Sequence, residues 1–277
     1  MNRVLKTPRG LKHCYNYFKA LDSNNSNITL FCHGLYGSKH EFDDIASDER
    51  LLNLTNIYAL DHVNHPEFAF DNQAEYIIDF LDNISSTDTK ATLVGHSMGG
   101  RACMRTALLY PERIKAVMAL DAPATSFTDI PGYMDQTYAL VKYFKDFDLS
   151  KFPKLDSIEE HMKEKFKFDD VSLQRIMRNF RYTDEEESKI TWRVNPQYLH
   201  DNVEAITYFD HIGTFEGPAK MLIGGISNRW KLEHFIDSFP NIKEEDIIPI
   251  PNTSHWIHTD DPEAFITNLT DLLKRAE

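Results

Sequence analysis

The stretch VGHSMGG, Val94 to Gly100, sets a serine between glycines at i−2 and i+2, with a third glycine directly after. In a helix interior each glycine costs about 1 kcal/mol relative to alanine, so the cluster marks a turn with no room for side chains. Its flanks say which turn. ATLV (Ala91 to Val94) reads as a buried strand and RACMRTALLY (Arg101 to Tyr110) as a helix. On such a strand–turn–helix elbow, Gly95 and Gly99 relieve collisions across the turn and Gly100 lets the helix approach closely. Ser97 is lifted above the sheet edge, facing a helix N-terminus that favours developing negative charge.

The same alternation runs through most of the chain and predicts an α/β fold with a mostly parallel sheet flanked by helices. Buried strands are expected at Asn27 to Cys32, Asn56 to Leu60, Ala91 to Val94, Ala116 to Leu120, Ala219 to Gly224 and Asp246 to Ile250. Pro249 places the last of these near a sheet edge. Helices are expected at Ala74 to Leu81, Gly100 to Leu109, Leu232 to Phe239 and Glu263 to Lys274. Residues 126–202 break the alternation. They are charge-dense with balanced signs, carry Leu140, Phe144 and Phe147 at helical spacing, and hold two candidate capping boxes, Ser157 to Glu160 and Thr183 to Glu186. They read as a helical lid inserted between strands of one sheet, dividing a core of residues 1–125 and 203–277.

The chain has 277 residues, 42% hydrophobic and 12% aromatic, enough for a substantial core and too apolar for disorder. A formal net charge of −13 argues against nucleic acid or an anionic membrane as the main partner. No apolar run approaches the roughly 20 residues of a membrane span. Cys14, Cys32 and Cys103 are odd in number and far apart. They suit neither a disulfide framework nor a zinc site and predict a reducing, intracellular compartment. Arg3, Lys6, Arg9, Lys12 and Lys19 precede the first acidic residue, Asp22. That pattern hints at a mitochondrial leader, although the segment runs almost at once into strands; a secretory signal would need an apolar stretch after the charges. The expected location is therefore cytoplasm or mitochondrial matrix.

An activated serine needs a histidine base and an acid to orient it. Of twelve histidines, His255 follows the last strand and precedes the last helix, on the sheet edge that carries Ser97. His258 is the nearest competitor and reads as a residue that holds the loop or faces solvent. His96 adjoins the serine with its side chain directed away. In CHGLYGS (Cys32 to Ser38), glycines let the backbone turn toward the nucleophile, so the N–H groups of Leu35 and Met98 form the expected oxyanion hole. His33 reads as a scaffold for that loop, with no metal partner at ligand spacing.

With HGLYGS, GHSMGG and SHWIHTDDPEAF in this order, the chain resembles an α/β-hydrolase over nearly its whole length. LDAPA (Leu120 to Ala124), WRVN (Trp192 to Asn195) and IGGIS (Ile223 to Ser227) resemble in particular the branch of bacterial short-chain acyl esterases and mitochondrial alpha/beta-hydrolase-domain esterases. The resemblance implies an α/β-hydrolase fold with its lid after the sixth strand, and hydrolysis of acyl esters or thioesters without a cofactor. It also implies a lipoylated 2-oxoacid dehydrogenase complex as a conceivable partner. Many relatives carry the acid after the strand read here as AKMLIGG, yet Ile226, Ser227 and Asn228 follow it, and Asp237 stands farther on in the next expected helix. Asp121, at the C-terminal end of AVMAL and stopped by Pro123, is the better candidate, against the alternatives of a turn-capping role or of Asp61. Ser254 stands where the family has glycine, and Val63 and Pro66 depart from a D-x-R-N-H-G-like segment. A carbon–carbon bond hydrolase using the same residues and a scaffold protein with a vestigial site are the rival readings. Epoxide hydrolase and dehalogenase chemistry would want aspartate at position 97.

Overall fold

Period-2 burial builds the sheet. In the computed structural model, which describes residues 2–62, 69–129, 133–166, 170–183, 189–226 and 230–277, Leu30, Leu93 and Val117 face one side while Phe31, Val94 and Met118 face the other. Both faces are covered, so the central strands carry almost no polar residues.

The strands are β1 (Asn2–Lys6), β2 (Lys12–Phe18), β3 (Ile28–Cys32), β4 (Asn56–Leu60), β5 (Ala91–His96), β6 (Ile114–Leu120), β7 (Phe180–Tyr182), β8 (Ile190–Trp192), β9 (Ala219–Gly224) and β10 (Ile247–Ile250). Eight form one sheet in the order β1-β2-β4-β3-β5-β6-β9-β10, parallel from β4 onward, with β2 antiparallel to both its neighbours. β10, with Pro249, is an edge strand. The helices are α1 (Asp43–Ala46), α2 (Glu49–Leu52), α3 (Phe70–Ile84), α4 (Met98–Leu109), α5 (Tyr133–Lys145), α6 (Leu155–Phe166), α7 (Asp170–Met177), α8 (Pro196–Asp201), α9 (Val203–Thr207), α10 (Ile257–Asp260) and α11 (Pro262–Arg275). Ile45, Leu51, Phe265, Leu269 and Leu272 of α1, α2 and α11 pack on one face; α3 and α4 cover the other. No described helix is long and apolar enough to cross a membrane.

Three local expectations change. The segment Leu232 to Phe239 forms only a 3₁₀ turn, Leu232–His234, followed by irregular turns. Phe235 and Phe239 anchor it in the core, and Pro240 disfavours helical backbone at Phe239. Ser157 is not an N-cap, because α6 begins earlier, at Leu155; its hydroxyl reaches back to the carbonyl of Lys154 at 2.6 Å. Thr183 directly follows β7 and bonds across to Lys189 rather than opening a helix, and positions 184–186 of that candidate box lie outside the described residues.

Between β6 and β9 the chain leaves the body through α5–α9, and within this excursion β7 and β8 pair as an antiparallel hairpin, an element absent from the purely helical expectation. Phe144, Phe180 and Trp192 form its aromatic centre, with Phe180 and Trp192 rings 4.3 Å apart. Its base is tied. The buried Ser126 hydroxyl donates to the Phe209 carbonyl at 3.0 Å and accepts from the Phe209 N–H at 2.8 Å. Ser126→Ala would leave both Phe209 groups without this partner, and should lower stability by about 1–3 kcal/mol, read as a shift of the urea midpoint. An unchanged midpoint would mean that the tie bears no load.

Candidate functional site

Ser97 takes φ 53°, a left-handed conformation rare for a side-chain-bearing residue, between the end of β5 and the start of α4. The neighbours enforce it. A Cβ on Gly95 would collide with the Gly99 carbonyl, and one on Gly99 with the backbone carbonyls of Cys32 and His33. The Ser97 N–H is tied to the Leu120 carbonyl at 2.9 Å. Because His96 and Leu120 are register partners, Ser97 and Asp121 leave adjacent strands side by side.

Asp121 is also left-handed, at φ 46°. Its N–H donates to the Leu222 carbonyl at 2.8 Å, and its Oδ1 accepts from the Gly224 N–H at 3.2 Å. Oδ2 lies 2.7 Å from His255 Nδ1. One backbone donor to the carboxylate, the tie of its own N–H to Leu222, and strands on both sides thus fix a carboxylate whose side chain is 1% exposed against an imidazole that is 35% exposed. A proton on Nδ1 leaves Nε2 as the free acceptor. The structure brings together Asp121 and His255. Ser97 lies beside them, the ring of the preceding His96 sitting 4.6 Å from that of His255, but among the described residues its hydroxyl makes no hydrogen bond. The other acids are elsewhere: Asp61 pairs with Lys39 at 2.5 Å, and Asp237 lies exposed in a turn. Ser227, Asn228, Val63 and Pro66 lie outside the described residues. Ser254 uses its hydroxyl: its N–H and Oγ both donate to Asp260 Oδ2 at 2.6 Å, closing the loop that carries His255.

Leu35 and Met98 both border a cavity of about 1040 Å³, and neither backbone N–H has a protein acceptor among the described residues. His33 acts as scaffold: its Nε2 accepts the His62 N–H at 3.1 Å, and His62 Nε2 returns a bond to the His33 carbonyl at 2.9 Å. His258 does not face solvent. Its ring is fully buried against Phe42 and Phe265.

The residue that sequence reading missed is Glu41, 3% exposed at its side chain. One oxygen meets His96 Nδ1 at 2.7 Å and lies 3.4 Å from His258 Nε2; the other accepts from the Gly34 N–H at 3.4 Å. Burial alone would raise its pKa, but the charge and hydrogen bond of His96, with His258 and His33 beyond, outweigh this and lower it to about 2. The insertion also touches the site. Asn179 Nδ2 donates to the Tyr36 carbonyl at 2.8 Å, Phe144 packs 4.8 Å from the Tyr36 ring, and the Arg175 guanidinium lies 4.2 Å over Trp256, next to His255.

Residues 29–268 match the alpha/beta hydrolase family. The chain is 28% identical to the sn-1-specific diacylglycerol lipase ABHD11 of Danio rerio, covering 98% of this chain and 85% of that protein. It is 28% identical to esterase YbfF of Escherichia coli (strain K12), covering 88% and 91%. Among solved structures, a marine microorganism esterase superposes with TM-score 0.79 at 20% identity over 98% of this chain and all of that one. An E-2-(acetamidomethylene)succinate hydrolase gives TM-score 0.75 at 15% identity over 99% of each. At these identities the structural likenesses speak for the fold alone.

Two histidines held neutral set an acid limit. Burial first, then the charge of His33, lowers the His62 pKa from 6.5 to about 3, and burial puts His258 well below its ordinary value. In the unfolded chain both take up a proton near pH 6.5, so below that pH unfolding binds protons that the fold refuses, and stability falls. Glu41 acts in the same sense: its contribution is present above pH 4.5 and lost as pH falls toward 2. Urea midpoints should therefore drop in order from pH 7.5 to 5.5 to 4.5. A flat or rising series would contradict a neutral His62 and a neutral, buried His258.

Proposed function

Because the chain belongs to the alpha/beta hydrolase family, we propose that this hydrolase cleaves carboxylic esters of acyl substrates through an acyl-enzyme on Ser97. The observation that carries the reading is the 2.7 Å bond from His255 to buried Asp121, on the sheet edge where the strained elbow presents Ser97. Ser97 Oγ attacks the acyl carbon while His255 Nε2 takes its proton; the carbonyl electrons move to oxygen, held by the N–H groups of Leu35 and Met98. Collapse of that tetrahedral species expels the alcohol, which receives the proton from His255. A water, deprotonated by His255, then attacks the acyl-enzyme and releases the acid. Asp121 holds the Nδ1–H tautomer and stabilises the imidazolium that forms in each half. The esterase and lipase names of the relatives support ester substrates.

Thioesters on phosphate-bearing carriers are the finer reading. Lys12, Lys39, Arg175, Arg178, Arg181 and Arg193 line the cavity of a chain whose net charge is −13. Of the four acidic residues that line it with them, Asp61 is engaged by Lys39, Asp43 by His40, and Glu41 by His96. Arginine forks suit phosphate. Arg175 of α7, Arg178 in the turn after it and Arg181 of β7 all come from the excursion, so it serves as a lid that supplies one wall of the acyl site.

A fluorophosphonate probe should label the wild type and not Ser97→Ala; equal labelling of both would end the mechanism. Asp121→Asn should stay folded and lose kcat by about 10²–10⁴; near-wild-type turnover would remove Asp121 from the site. For the finer reading, raising salt from low to high should weaken kcat/KM several-fold for an acyl-coenzyme A thioester and leave a neutral p-nitrophenyl ester nearly unchanged. Equal salt responses would leave ester hydrolysis standing and discard the anionic substrate.

A further inference from the structure

We propose that Glu41 is a positioning residue, one buried carboxylate that keeps the oxyanion loop, the nucleophile elbow and the base-bearing loop in register for the Ser97 reaction; this rests on the acyl-enzyme reading above.

Three segments distant in sequence meet at its two oxygens. Oε2 accepts from the N–H of Gly34, the residue before the proposed oxyanion donor Leu35. Oε1 accepts from Nδ1 of His96, the residue before Ser97. The opposite edge of the same ring continues the chain: His96 Nε2 lies 2.9 Å from the backbone carbonyl of His255. The base loop also comes near through His258, whose Nε2 lies 3.4 Å from Oε1 without a hydrogen bond; neither of its ring nitrogens has a hydrogen-bond partner among the described residues.

The proton inventory makes Glu41 more than filler. A carbonyl oxygen only accepts, so His96 must donate from Nε2 to His255. The Glu41 contact then needs a further proton along the Nδ1···Oε1 bond. Burial disfavours a charged His96 and Glu41 opposes this, and the pair as a unit holds that one proton. Arg175 and His255 disfavour a charge on a bare His96 ring, and the neighbouring His258 is a buried ring whose own protonation is disfavoured, which makes the carboxylate the element that retains the proton. Without Glu41, a neutral His96 would still donate to His255 from Nε2 but would lose its tie to the Gly34 loop. The oxyanion donors and the base would then be free to drift relative to Ser97, and displacements near 1 Å cost up to about 10²-fold in rate.

The test compares Glu41→Gln and His96→Asn with wild type, using a p-nitrophenyl ester and a fluorophosphonate. Both variants should lower kcat by about 10–100-fold, slow labelling of Ser97 in proportion, and leave KM within about twofold. The acid limb of the kcat/KM profile should stay in place, because the pair is neutral as a unit before and after. Wild-type protein should show a downfield, slowly exchanging imidazole N–H resonance, absent from both variants; this readout stands even if a variant folds poorly. A loss confined to KM would make Glu41 a wall of the substrate cavity and overturn the proposal. So would wild-type turnover in both variants, or a stoichiometric metal on the wild type that Glu41→Gln releases, since the donor atoms of Glu41, His96 and His258 lie within 4.8 Å of one another. If wild-type Ser97 fails to label at all, the acyl-enzyme reading falls instead; normal labelling that Glu41→Gln does not slow sinks the positioning role alone.

Discussion

The rest of this structure depends on backbone-to-backbone contact at the nucleophile elbow. Gly95 lies against Gly99, and Gly99 lies against the carbonyls of Cys32 and His33, so two parallel strands and the first turn of α4 touch without side chains between them. Any Cβ there would push β3, β5 and α4 apart, and with them the loop after β3, Ser97 and the helix N-terminus. Close approach also makes the strain at Ser97 affordable in energetic terms: a left-handed non-glycine residue costs of order 1–3 kcal/mol and persists only where its surroundings over-determine it.

The two buried carboxylates that flank the histidines do different things because their neighbours differ. Asp121 faces one imidazole and the Gly224 N–H, and its partner His255 remains part exposed, open to solvent. Glu41 faces rings that are closed off from solvent, where a proton has nowhere to go. Side by side, the two carboxylate–imidazole pairs differ by solvent access more than by residue type.

What could be read from the sequence follows the range of the interactions concerned. The strands and the elbow were legible because their signals are local: apolar runs bounded by turns, and glycines at fixed offsets from Ser97. Asp121 was legible because a strand end and Pro123 bracket it. Glu41 was not, since its partners are His96 and His258, far along the chain, and nothing in SKHEF marks it as buried. The hairpin β7–β8 escaped because each strand has only three residues. Phe235 and Phe239 carry helical spacing yet are held by core packing in a turn, a case where burial alone imitates periodicity.

The hydroxyl tie between Ser126 and Phe209 has an evolutionary reading. Because the chain departs and returns at one point, residues 127–208 form a closed excursion whose internal length barely bears on the body. Doubling such a loop costs only about 0.6 kcal/mol in closure entropy. A lineage can therefore lengthen, shorten or exchange this segment, and the arginines it carries, while the strand ends that hold Ser97 and Asp121 stay as they are. The excursion and the strand ends are then separately heritable parts of one chain.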